Sequence, residues 1–162
     1  RYDQPKRIYT TNTLAAGFFP AWAARKSLRH YALTVASLTA CVEAVRAGRA
    51  DQALIPLLDG VDTHELRVET IGSDTLCLLA TKQVAKTVHL KNKILVGPVL
   101  MYPPANAYGF LVDRMLSRAA ISLAQDAVCE SSSAEALTAL VESGVGAAWL
   151  PGVLAHDTLV PC

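Results

Sequence analysis

The chain has 162 residues and a mass of 17.3 kDa, enough for one domain or for two small lobes. With 52% hydrophobic and 18% charged residues it can bury a core, which excludes disordered, collagenous and coiled-coil classes. Its net charge of +1 is near neutral, and no apolar run approaches the roughly 18 residues that cross a bilayer.

Residues 1–7 lack an apolar stretch and read as a linker, not a signal peptide. Residues 7–10 form a short strand. The polar turn Thr11-Asn12-Thr13 follows, then a helical stretch whose regular part is expected to start near Pro20, since proline is tolerated in a helix's first turn. Residues 31–36 are a second strand. Leu38, Cys41, Val42 and Val45 recur at the spacing of one helix face. Ser37 or Thr39 offers the N-cap, and Gly48 stands where a left-handed residue stops the helix. Residues 53–55 are a third strand. This alternating order calls for parallel pairing with helical crossovers.

In the middle, residues 66–71 alternate apolar and polar as a strand does, Gly72-Ser73-Asp74 is a turn, and residues 75–81 have the apolar run of a buried strand. The alternation then resumes. A strand near 94–96 leads through the loop 102–106 to a helix over 107–118. A strand near 124–129 leads through Ser131-Ser132-Ser133 to a helix with Ala134, Leu137, Leu140 and Val141 on its buried face. Ser143-Gly144 closes that helix, and residues 145–150 form a strand ending at Pro151.

Charge is laid out unevenly. Residues 1–49 hold eight Lys/Arg against two acids, and residues 50–80 hold one Arg against six acids. Lys6, Arg7, Arg25, Lys26, Arg29, Arg46 and Arg49 are spread along the chain and read as solvated faces of two helices and a linker, not as a DNA-reading element. Cys41, Cys77 and Cys129 fall among apolar neighbours, as small hydrophobes do in a reducing compartment. Cys162 is expected to be exposed. No zinc spacing, Gly-rich phosphate loop, nucleophile elbow or His-Glu-x-x-His occurs, and the four histidines are dispersed. The enzyme class therefore has no motif, and no metal or cofactor is implied.

Three stretches resemble the effector-binding domain of LysR-type transcriptional regulators. Residues 7–13 through Gly17-Phe18-Phe19-Pro20 look like that family's opening strand, polar turn and helix start. Residues 42–54, with Gly48, Asp51 and Ala53-Leu54, match its L-x-x-G-x-x-D-x-A-[IL] segment. Leu140-Val141-Glu142-Ser143-Gly144-Val145-Gly146-Ala147-Ala148-Trp149-Leu150-Pro151 matches L-V-x-x-G-x-G-x-x-x-L-P. Gly17–Pro20 and Ala148–Pro151 are similar to the hypochlorite-responsive members. Their methionine-oxidation signal is not carried over, because the chain has only Met101 and Met115, and Tyr108 stands at one such place.

The resemblance implies an α/β fold of two Rossmann-like lobes, type 2 periplasmic-binding-protein-like, with the ligand at the hinge. The implied layout is a first lobe over 1–72, a second over 73–156, and 157–162 as a truncated return strand toward the first. It also implies a cytoplasmic protein that forms dimers, or tetramers in its parent, through a helix near 20–28 beside one near 107–118 of another chain. DNA would be reached only through a domain absent here. The alternative in the same fold is a solute-binding protein of a transporter.

Thr11, Asn12 and Thr13 lie between a strand and a helix, where hydroxyls and free N–H groups hold an anion or simply cap the helix, Thr13 being the candidate cap. Ser131 and Ser132 occupy the equivalent place in the second lobe. Open α/β sheets bind ligands at the carboxyl ends of their strands. The threonine turn matches positions that anion-sensing family members use, and Thr39, Asn106 and Tyr108 would face the same cleft. The expected effector is a small polar or anionic molecule.

Overall fold

The computed structural model describes residues 3–162, which divide into two compact units, one running to Ser73 and one starting at Asp74. In the first, β1 (Lys6–Thr10), β2 (Tyr31–Val35) and β3 (Gln52–Leu54) form a sheet in the order β2-β1-β3, all parallel. Parallel neighbours need long crossovers. Here these are α1 (Asn12–Gly17) with α2 (Phe19–Arg25), and α3 (Leu38–Arg46).

Helix begins earlier than expected. Residues 12–17 are already helical, and the chain breaks at Phe18, whose φ of −125° leaves the helical well. Pro20 then sits in the first turn of α2, where its missing N–H is not needed. Ile8, Phe19 and Ala23 are buried together, with Trp22, Leu28 and Leu54 packed on them. Cys41, Val42 and Ala44 form the buried face of α3, and Gly48, at φ +73°, ends it.

The second unit runs β4 (Leu76–Thr81), α4 (Lys82–Ala85), β5 (His89–Lys91), β6 (Ile94–Val96), β7 (Leu100–Met101), α5 (Ala107–Ala119), β8 (Ser122–Leu123), β9 (Cys129–Glu130), α6 (Ala134–Glu142), β10 (Ala148–Pro151) and β11 (Leu159–Pro161). β4 is central between β10 and β11, both antiparallel to it. β6 pairs with β5 and β8, and β7 lies parallel to β9. One core holds the unit together, with Leu100, Val112, Leu137, Val141 and Leu150 fully enclosed. Each such side chain contributes about 1.5–3 kcal/mol of burial.

Four expectations change. Residues 66–71 form no strand, and Val68 and Ile71 are exposed. Alternation makes a segment fit for pairing, but without a neighbour to fill its hydrogen bonds no strand forms. The strand expected over 124–129 is split into β8 and β9, because the backbone beside it leaves the strand conformation at Gly97, whose φ is +121° and whose O accepts from the Gln125 side chain. β4 is only half-buried, and Cys77 on it is exposed. Residues 159–161, expected to return toward the first lobe, pair instead with β4 in the second unit.

The first sheet is pinned at its amino edge by one ion pair. Arg7 donates from its backbone N to Asp51 Oδ2 at 2.8 Å and from Nη2 to Oδ1 at 2.8 Å, while Asp51 N donates to Arg7 O at 2.9 Å. The guanidinium and backbone bonds hold the Asp51 carboxyl at about 2, below its ordinary 3.8. A depressed carboxyl contributes stability above its ordinary pKa and loses it as pH falls through the folded value. Asp51→Asn should therefore lower the thermal midpoint at neutral pH, and the gap from wild type should close as pH falls from about 4 to about 2. Thermal melts across that range check this.

Candidate functional site

In the first unit β1 ends at Thr10, whose buried hydroxyl donates to Leu54 O at 2.8 Å. Thr11 is the N-cap residue of α1 at φ −77°, ψ 158°, yet its side chain makes no capping bond. Its Oγ1 is buried and has no partner among the described residues. Asn12 is exposed, and Thr13 lies inside the helix and is buried. Thr13 is therefore not the cap. Beside it, β2 runs into α3, which Ser37 caps by accepting from Ala40 N at 3.2 Å. Thr39 is exposed on the helix beyond.

The second unit repeats the arrangement at the carboxyl ends of β7 and β9. Asn106 caps α5, its Oδ1 accepting from Tyr108 N at 2.8 Å and Gly109 N at 3.3 Å. Its Nδ2 donates to Ser132 O at 3.0 Å and ties the two strand ends together. Ser131 Oγ accepts from Ser133 N at 3.2 Å. Ser133, the last of the serine turn, caps α6 by accepting from Ala136 N at 3.1 Å and donates to Glu135 Oε2 at 3.2 Å. The other oxygen, Glu135 Oε1, is buried without a partner among the described residues.

Behind this turn the Tyr102 hydroxyl donates to Trp149 O at 2.8 Å, and its ring lies 5.5 Å from that of half-buried Tyr108. Burial, then the charges of Tyr108 and Glu135, push the Tyr102 phenol well above its ordinary value, so it stays a neutral donor. Nothing in the sequence marks Tyr102 or Glu135. Their parts arise from strands that are distant along the chain.

Asn106, Tyr108, Ser131 and Ser132 thus share one turn cluster, and Thr11, Asn12 and Thr13 share another in the other unit. A cavity of about 340 Å³ opens beside the second cluster, lined in part by Tyr102, Asp113, Asp126 and Glu130. Its carboxylates are a feature that sequence reading did not anticipate. No group of three or more His, Cys, Asp or Glu among the described residues is placed to hold a metal ion.

Asn106 does two jobs that variants can separate. Asn106→Ala should cost about 1–2 kcal/mol, through the lost cap and the lost tie to Ser132. Asn106→Asp, which keeps the acceptor and drops the donor, should recover the capping share. Chemical denaturation of both variants reads the split.

The LysR substrate binding domain family matches residues 5–161. No curated protein sequence matches the chain. Among solved structures, VV2_1132, a LysR family transcriptional regulator, is similar at a TM-score of 0.74 and 18% identity, over 100% of this chain and 58% of that one. Vibrio fischeri DarR in complex with DNA gives 0.73 at 18%, over 98% and 56%. The bromide-bound regulatory domain of HypT from Salmonella typhimurium gives 0.71 at 20%, over 99% and 80%. At these identities the likeness is one of fold, and the chain spans little more than half of the first two proteins. The family match covers nearly every described residue, and with it this chain belongs to the LysR substrate binding domain family.

Proposed function

We propose that the chain is the effector-sensing part of a cytoplasmic LysR-type regulator of transcription, and that its effector is a small polar or anionic molecule. The observation that carries this reading is the Thr11 hydroxyl, buried at a strand-to-helix junction and left without a partner. A buried hydroxyl so left costs about 1–3 kcal/mol. A bound oxygen or halide would remove that cost, and the backbone N–H groups at the helix start would share the load. In the second unit, the backbone around Ser131 and Ser132, held by Asn106, is the matching junction, with Tyr108 beside it. Asn12 and Thr39, both exposed, flank the first junction.

The parent is proposed to act as a dimer or tetramer and to reach its promoter through a separate DNA-binding domain. No helix among the described residues is long and apolar enough to cross a membrane. Apolar surface for self-association exists on α5, where Phe110 is 57% and Leu111 37% exposed. Trp22 of α2 is partly buried against the core.

Two measurements test these proposals. Thermal-shift titration with bromide, nitrate and small carboxylates should find a ligand for the wild-type chain, and Thr11→Ala should weaken it roughly tenfold to a hundredfold, the worth of one hydrogen bond to a charged group. The unliganded variant should melt no lower than wild type, since an unsatisfied group is removed. Unchanged affinity would leave Thr11 outside the site. Sedimentation at high micromolar concentration should show dimers, and Phe110→Glu should shift them to monomers. A wild-type chain that stays monomeric refutes the dimer.

A further inference from the structure

The basic residues that are scattered in the sequence are gathered by the fold. The strands of the first sheet are parallel, so their amino ends share one edge. Lys6 opens β1, and its N donates to His30 O at 2.8 Å, beside the start of β2. Arg25 ends α2, Lys26 and Arg29 lie in the loop to β2, and Arg49 lies in the turn before β3. All six side chains belong to exposed residues.

Acids meet part of this charge. Asp51 is occupied by Arg7, and Arg46 by Glu43 and Asp62. Among the described residues Arg25, Lys26, Arg29 and Arg49 have no ion pair, although exposed Asp3 lies three residues before Lys6, and exposed Glu65 lies on the segment that Arg46 holds. Complementing the helix dipole explains a cation at the end of α2 or α3. It does not explain Lys6, Arg29 or His30, which belong to no helix.

We propose that this amino-edge rim (Lys6, Arg25, Lys26, Arg29, His30 and Arg49) is a docking surface for the phosphate backbone of duplex DNA, without sequence preference. Phosphate recognition favours the planar fork of arginine, present three times. Single-stranded nucleic acid needs free aromatic faces for base stacking. The nearby rings are not free for this, since Trp22 packs on the core and Tyr31 stands edge-on against Phe19 at 5.5 Å. The surface therefore offers charge without a stacking platform, which suits a duplex backbone. The choice of DNA among polyanions rests on the regulator reading above. The rim lies at the edge of the sheet opposite Thr11, so both could be occupied at once.

The test is fluorescence anisotropy of the full chain with a labelled 25–30-bp duplex of arbitrary sequence, from about 50 to 200 mM salt, a range over which phosphate contacts are lost. Replacing Arg25, Lys26, Arg29 and Arg49 by Gln should weaken binding at least about tenfold at the low-salt end and flatten the log–log salt slope by about 3.6, near 0.9 per lost contact. The variant Arg29→Gln/Arg49→Gln, outside any helix, should give about half that slope change and guards against a folding defect. Replacing Lys82, Lys86, Lys91 and Lys93 of the second unit by Gln removes the same charge elsewhere and should change affinity less than about twofold. Equal losses in the two four-site variants, no duplex binding at 50 mM salt, or tighter binding of poly-glutamate than of the duplex would each overturn the proposal. Bromide thermal shifts on the same variants report the effector reading separately. Rim variants should keep the wild-type shift, and DNA binding with no anion response at all would sink the effector reading alone.

Discussion

Parallel pairing in the first sheet is the constraint from which both proposed surfaces follow. It forces every connection to be helical, so helix starts collect at the carboxyl edge and helix ends at the amino edge. The last turns of α2 and α3 deliver Arg25, Arg46 and the nearby Arg49 to one edge, and Thr11 and Ser37 begin α1 and α3 at the other. The second unit applies the same rule locally, because β7 and β9 are parallel and lead to the caps Asn106 and Ser133. Hydroxyls at one edge and cations at the other are what backbone N–H and C=O groups at helix termini demand.

That demand makes a hydroxyl at a strand end ambiguous by itself. Ser37, Thr81, Asn106 and Ser133 all spend their side-chain oxygens on helix N–H groups. Thr11 stands at the same kind of position and does not. Its hydroxyl is enclosed, so water does not take the place of the missing bond without entering the protein. Glu135 is the counterpart in the second unit, with one carboxylate oxygen held by Ser133 and the other buried and unpaired. Polar groups in that state set up a preference for a bound partner, which a fully capped junction lacks.

Elements carried by periodicity or by a cap were legible in the sequence. The buried face of α3, the Ser37 alternative for its cap, the strand–helix order of the first unit and the extent of α5 all follow from local pattern. Elements that depend on a neighbour were not. Residues 66–71 have the alternation of a strand and no partner, and the segment over 124–129 is broken where the chain beside it turns at Gly97. The site was legible to the same degree. The hydroxyl turns could be named from their place between strand and helix. Which hydroxyl caps and which is left over depended on geometry: Thr13, the expected cap, lies inside α1, and Thr11 at the N-cap position makes no capping bond. The cation rim was illegible for a similar reason, since Lys6 and His30 meet only through pairing of β1 with β2.

The motifs that mark the family are accounted for by backbone demands alone. Gly48 and Gly144 hold positive φ of +73° and +81° just past α3 and α6, where a side chain would be strained. Asp51 ties the starts of β1 and β3 through Arg7. A Cβ at Gly146 would lie 2.8 Å from Pro98 O and 2.7 Å from Leu100 Cδ1, so only glycine lets this segment run against the strand beside it. Leu150 is fully buried, and Pro151 ends β10. Every conspicuous position in both motifs thus serves packing or chain direction. Thr11, Glu135, Lys6, Arg25, Lys26, Arg29 and His30 lie outside these two motifs, and Arg49 fills a position that its motif leaves unspecified. A likeness resting on the motifs therefore specifies the fold and leaves effector choice to vary, which is how one scaffold can serve regulators that answer different small molecules.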